Sequence, residues 1–171
     1  NVFLCDTVED AFDKAEFLVH QKVTGKRTVI ITNGGGLGVL CADYCSKNNL
    51  EVVKLPDKLI SHLDLSHNWS RNNPIDLVGD ANYEKYREIF LKLEEENNFF
   101  DNVIVILSQQ EMINVFLVAK EICEFRKRSG KCVVCCLVGI GDNIDKAKEL
   151  FRKNGILSFY EPERCAKVLK E

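Results

Sequence analysis

The chain has 171 residues, with 23 Lys and Arg against 26 Asp and Glu and a formal net charge of -3. At this length one domain of ordinary size buries most of its apolar surface without disulfide or metal staples, and a two-domain enzyme does not fit. With no basic block or stripe, neither nucleic acid nor an anionic membrane is an expected partner.

Val8, Ala11, Phe12, Ala15, Leu18 and Val19 fall at helical spacing behind an Asp6-Thr7 cap, with Glu9 and Asp10 in the first turn. This predicts an amphipathic helix over 7–22, with His20 on its polar side. After Thr24-Gly25-Lys26, the run Thr28-Val29-Ile30-Ile31-Thr32 has no polar alternation, the pattern of a strand buried on both faces. Asn33-Gly34-Gly35-Gly36 follows without a spacer, and Leu37, Val39, Leu40, Ala42 and Tyr44 carry a helix to about Lys47. A strand over 51–55, a short helix around 58–63 and a polar loop over 66–79 come next. A helix over 83–96 then turns Tyr86, Ile89, Phe90 and Leu93 inward. The apolar run 103–107 reads as a second buried strand. It is followed by helix 113–128, strand 132–137, helix 143–154, strand 156–159 and helix 161–169, with Gly130 and Gly155 just past helix ends. The alternation predicts an α/β fold, a flavodoxin-like open parallel five-stranded sheet in order 2-1-3-4-5 with helices on both faces.

Most of the eight cysteines lie in apolar runs; Cys132, Cys135 and Cys136 sit among Val133, Val134 and Leu137. They read as small hydrophobes of a buried strand in a reducing compartment. Alternation along that strand points Cys132 and Cys135 to opposite faces, so no metal site is expected. No run approaches the ~18 apolar residues of a membrane span, and no secretory leader is recognisable, so a cytoplasmic protein is expected.

In an open α/β sheet, ligands bind beyond the carboxyl ends of the strands. The segment Thr32-Asn33-Gly34-Gly35-Gly36-Leu37 puts backbone amides at a helix N-terminus carrying about half a positive charge, a setting for an oxyanion and above all a phosphoryl group. The alternative is that the glycines serve only a tight turn and close helix-strand packing. G-x-G-x-x-G fails, because the sixth position is Val39 counted from Gly34 and Cys41 from Gly36. Lys54-Leu55 also lacks a ribose-binding acid, which disfavours NAD. There is no Gly-Lys-Ser/Thr for a Walker A loop. Thr32-Asn33 and Ser108 stand where a phosphoacceptor receiver would need carboxylates. FMN binding survives on fold alone.

In the segment 72–81, Asp80 suits a helix N-cap, and Asp76 between Ile75 and Leu77 must find donors, for which the amides of the glycine turn are candidates. Structural capping is the alternative reading for both acids, and for Asp76 it weighs evenly against a role at the site. Trp69 reads as a loop anchor. Ser108-Gln109-Gln110 offers donors and acceptors without a nucleophile-base pair, and Val138-Gly139-Ile140-Gly141-Asp142 lets backbone approach a ligand or a neighbouring domain. Of His20, His62 and His67, only His67 is placed to reach a site. The chain is therefore expected to hold a phosphoryl group and not to transfer it alone.

Three segments, 28–43, Asn73-Pro-Ile-Asp-Leu-Val-Gly-Asp-Ala81 and Val105-Ile-Leu-Ser-Gln-Gln110, together resemble the NDP-forming acyl-CoA synthetases, the ADP-forming acetate-CoA ligases related to succinyl-CoA synthetase. The resemblance is to the second flavodoxin-like CoA-ligase domain, over 25–171, with 1–24 as a connecting helix. It implies a reaction in which acyl phosphate forms, its phosphoryl group passes to a histidine on a mobile loop, CoA takes the acyl group, and ADP is phosphorylated. The whole enzyme would use CoA, ADP or ATP, Mg2+ and phosphate. Asn33, Gly34, Gly35, Gly36 and Leu37 are implied to dock the phosphohistidine, and Ser108, Gln109 and Gln110, with Asn33, to form a substrate loop. Asn73, Pro74, Asp76, Gly79 and Asp80 would support them. No histidine of this chain has the His-Thr-Gly context of the phosphorylated residue. The implied partners are therefore a CoA-binding domain that bears the phosphohistidine and a nucleotide-grasp domain or subunit, and this chain would be inactive alone. A non-catalytic regulatory copy or an FMN binder is the alternative.

Overall fold

The computed structural model describes residues 3–66, 69–78, 81–111 and 113–170. Its sheet is parallel throughout and contains β1 (Arg27–Thr32), β2 (Glu51–Val52), β3 (Ile75–Asp76), β4 (Asn102–Ser108), β5 (Cys132–Val138) and β6 (Leu157–Phe159). The order is β2-β1-β4-β5-β6, with β3 also paired to β1. Apart from that extra strand, this is the order expected from the alternation of elements.

The central strands are apolar on both sides because each feeds two layers. Val29, Ile31, Val103, Val105 and Cys135 enter the layer covered by α3 (Asp57–His62), α4 (Tyr83–Glu95), α5 (Val115–Ser129) and α6 (Asp142–Lys153). Ile30, Ile104, Ile106, Val134 and Cys136 enter the layer under α1 (Val8–His20), α2 (Gly35–Lys47) and α7 (Pro162–Leu169). Cys132 and Cys135 fall in opposite layers, as alternation requires. Burial pushes the thiols of Cys123 and Cys132 up to about 11, which keeps them protonated and unreactive. Trp69 packs into the first layer. Gly130, at φ +66, closes α5 in the left-handed conformation that favours glycine.

Two features depart from the sequence reading. The first is at the β1 edge, where the expected strand 51–55 pairs only at Glu51 and Val52 and a second two-residue strand, Ile75–Asp76, emerges from the expected loop 66–79. β2 pairs with the start of β1, at Arg27 and Thr28, and β3 with its end, at Ile31 and Thr32. The side chain of Asn73 bridges the gap. Its Oδ1 accepts from the Ile30 amide at 2.9 Å, and its Nδ2 donates to the carbonyls of Thr28 at 2.8 Å and Val53 at 3.0 Å.

The second is the seating of α1. The helix forms, but Phe17, Asp13 and Lys14 are buried while the apolar stripe faces outward. Its polar face has partners on α7. The Arg164 guanidinium grips Asp13 with two bonds of 2.8 and 2.7 Å, Lys167 lies 3.3 Å from Asp10, and Lys14 Nζ donates to the Val168 carbonyl at 2.9 Å. Gln21, just past the helix, uses its side-chain amide on β5: Oε1 accepts from the Val133 amide and Nε2 donates to the Val133 carbonyl, both at 2.8 Å.

Asn73→Ala strands the Ile30 amide and the Val53 carbonyl and leaves the Thr28 carbonyl only its 3.3 Å bond from the Val53 amide, so it should cost about 2–3 kcal/mol in chemical denaturation; a loss under about 0.5 kcal/mol would mean that water replaces the side chain. A second expectation concerns acid. Hydrogen bonding to Arg27 holds the Asp101 carboxyl below its usual range. A depressed folded pKa contributes stability that is present above the unfolded value and is lost as pH falls through the folded one. Asp101→Asn should therefore flatten the acid limb of the stability-pH curve, while leaving the curve's shape above about pH 6 unchanged.

Candidate anion site at the carboxyl edge of the sheet

Thr32 ends β1 and shapes the turn that follows. Its hydroxyl accepts from the Gly34 amide and donates to the Gly34 carbonyl, both at 3.0 Å. α2 then starts at Gly35 with no side-chain cap, so the helix does not satisfy the amides of Gly35, Gly36 and Leu37. With the helix dipole behind them, these donors suit an anion.

The glycines divide into two kinds. A Cβ on Gly35 would lie 2.6 Å from Asp76 Oδ2, and one on Gly38 would lie 2.8 Å from Thr32 Cγ2 and 3.4 Å from Pro74 Cβ. At Gly34 it would meet Ser108 Oγ at 3.2 Å. These three are contact surfaces between β1, α2 and the 73–76 and 108 segments. Gly36 is exposed, and a Cβ there would meet nothing within 4 Å. The approach to the amides is open on that side.

Asn33 supports the turn from beneath. It is 2% exposed, with Oδ1 accepting from the Ser108 amide and Nδ2 donating to the Ser108 carbonyl, both at 2.8 Å. The polar atoms of its side chain are thus engaged by backbone, which makes Asn33 a positioning group. Its own carbonyl accepts from Gln110 Nε2 at 3.3 Å, while Gln110 Oε1 is buried without a partner. Gln109 ties the β4 and β5 loops together, its Oε1 accepting from the Ile140 amide at 3.0 Å and its own amide donating to the Val138 carbonyl at 2.7 Å.

Asp76 is half-buried, and its donor is the Val78 amide at 2.9 Å rather than the glycine amides. That bond helps hold Val78 at φ +62, a conformation a β-branched residue rarely adopts. Tyr86, on α4, is fully buried with an unpartnered hydroxyl, and burial together with the nearby Asp76 charge holds its phenol well above the usual range. The sequence marked Tyr86 as an inward residue, but nothing in the sequence distinguishes an unpaired phenol from a paired one.

Residues 33–37, 73–76, 108–110 and 138–141 thus meet at one edge, as read from the sequence. Gly79, Asp80 and His67 lie outside the described residues; the N-cap expected of Asp80 is instead Asn82, whose Oδ1 accepts from the Lys85 amide at 3.0 Å at the start of α4. His20 packs against Gly155, ahead of β6 and so at the amino edge, and His62 ends α3 exposed. Among the described residues no group of three or more His, Cys, Asp or Glu side chains is arranged to hold a metal ion. Among the described residues this edge offers N–H donors and no nucleophile-base pair, an arrangement that suits an oxyanion.

A family model described as the Ligase-CoA domain matches residues 28–170. The ADP-forming acetate-CoA ligase I of Archaeoglobus fulgidus is 30% identical over 98% of this chain and 24% of its own length. The alpha subunit of the ADP-forming acetate-CoA ligase II of Pyrococcus furiosus is 30% identical over 96% of this chain and 37% of its own. The solved structure of the dinucleotide forming acetyl-coenzyme A synthetase 1 of Ca. Korarchaeum cryptofilum, in complex with phosphate and ADP, matches with a TM-score of 0.88 and 30% identity over 99% of this chain and 37% of that one. The chain therefore spans well under half the length of these relatives.

Gly35→Ala should destabilise through its collision with Asp76, whereas Gly36→Ala should leave thermal stability unchanged or raise it by up to about 1 kcal/mol. Equal effects at the two positions would contradict this division of the turn. Tyr86→Phe should be neutral or stabilising, since it deletes an unsatisfied buried hydroxyl.

Proposed function

The chain belongs to the Ligase-CoA domain family, and from that premise we propose that its glycine turn is one half of the phosphoryl cradle of an ADP-forming acyl-CoA ligase. The observation that carries the reading is an uncapped α2 whose first-turn amides are open on the Gly36 side while Gly34, Gly35 and Gly38 are packed shut. In this reading the amides of Gly35, Gly36 and Leu37 receive the phosphoryl group of a histidine, or of an acyl phosphate, delivered by another part of the enzyme. Donors already fixed by the fold need no reorganisation as charge arrives, which is the main way such a site stabilises a phosphoryl group. Ser108, Gln109 and Gln110 line the approach, and Asn73, Pro74 and Asp76 set the position of the turn.

The whole enzyme then interconverts acid, CoA and ATP with acyl-CoA, ADP and phosphate. The reactive histidine, CoA, the nucleotide and Mg2+ belong to a CoA-binding domain and a nucleotide-grasp domain or subunit outside this chain. The buried free thiols agree with a cytoplasmic setting, and among the described residues no helix is long and apolar enough to cross a membrane.

Gly36→Asp is the discriminating variant. It places a carboxylate in open space in the first helical turn, where an acid favours the helix, so the chain's unfolding temperature should hold or rise. In the complete ligase it should lower histidine phosphorylation at least tenfold, or about 1.4 kcal/mol. Phosphorylation at the normal rate would sink the cradle reading. Gly35→Asp cannot serve, because its Cβ would lie 2.6 Å from Asp76.

A further inference from the structure

The apolar face of α1 is left over once the fold and the anion site are accounted for. Phe12 is 71% exposed, Val8 74% and Val19 77%. With the exposed Ala15 they form a stripe at steps of four, three and four residues, the seam spacing with which one helix packs lengthwise on an apolar partner. From Val8 to Val19 the stripe is about 17 Å long.

This exposure is imposed by the packing. Rolling the stripe inward would break the Asp13–Arg164 grip, the Asp10–Lys167 pair and the bond from Lys14 to the Val168 carbonyl, stranding charges that are now mostly buried. α7 thus fixes which face α1 presents.

The comparisons indicate what covers it. The Ligase-CoA domain model starts at residue 28, after α1, yet the two acetate-CoA ligases align over 98% and 96% of the chain and the Korarchaeum structure over 99%. The α1 segment is therefore part of what the chain shares with these ligases while standing outside the matched domain model. More than half of each relative lies beyond the matched region.

We propose that the Val8-Phe12-Ala15-Val19 face of α1 is a docking surface for an apolar face of an adjoining domain of the same ligase, fixing this domain relative to the rest of the enzyme. The proposal rests on family membership and the seating of α1, and is independent of the anion cradle.

The test is thiol accessibility. Ala15→Cys is made in a Cys5→Ser background, which leaves the seven other native cysteines buried. Maleimide should modify the introduced thiol at the rate of a free surface thiol in the isolated chain and at least tenfold more slowly in the complete ligase. Equal rates in the two overturn the proposal. Light scattering on the isolated chain covers the remaining occupant: a monomer is expected, and a dimer dispersed by Phe12→Glu would assign the face to a second copy and overturn it as well. Failure of the Gly36→Asp experiment, by contrast, would leave slow labelling of the introduced thiol unaffected.

Discussion

Buried strands have no water to fall back on, so every amide and carbonyl left without a neighbouring strand must find another partner. Here side-chain amides supply it at three places where pairing runs out. Asn73 spans the gap between the two short strands on the β1 edge, Gln21 takes both polar groups of Val133 on β5, and Asn33 takes both polar groups of Ser108 at the end of β4. A carboxamide can do this because it carries a donor and an acceptor at nearly the spacing of a peptide group. An ionised acid in the same place would leave the carbonyl unpaired, and an aliphatic side chain would leave both groups unpaired.

The shape of the candidate anion site follows from these bridges. Asn73 positions the segment after it so that Pro74 lies against Gly38 and Asp76 against Gly35, and Asn33 draws Ser108 against Gly34. Three glycines are consumed by these contacts, and only at Gly36 is the cradle open. Packing and the proposed anion binding would then be two consequences of one arrangement: closing the turn on three sides holds the free amides still, and rigid donors are what a phosphoryl site needs.

On the other side of the sheet, α1 shows the same matching of partners. The layer beneath it accepts Phe17 as its one fully buried apolar side chain, and Asp10, Asp13 and Lys14 are matched by groups on α7 or just past it. A helix whose polar face is the bonded one must turn its apolar face to something else. On the docking proposed above, that something is a neighbouring domain of the same ligase.

The sequence by itself determined the two central strands, the helices and the Thr7 cap of the first, the parallel order, the opposed faces of Cys132 and Cys135 and the place of the glycine turn. Each of these rests on local patterning: unbroken β-branched runs, helical periodicity, and the limited ways short connections close an open sheet. Tertiary structure decided the rest. Ile75 and Asp76 become a strand because Asn73 brings them to β1, across more than forty residues. Which face of α1 is buried depends on Arg164, 151 residues from Asp13, and no hydrophobic pattern encodes a competing set of ionic partners. Four glycines that look alike in the sequence differ because only folding decides what stands where each Cβ would be.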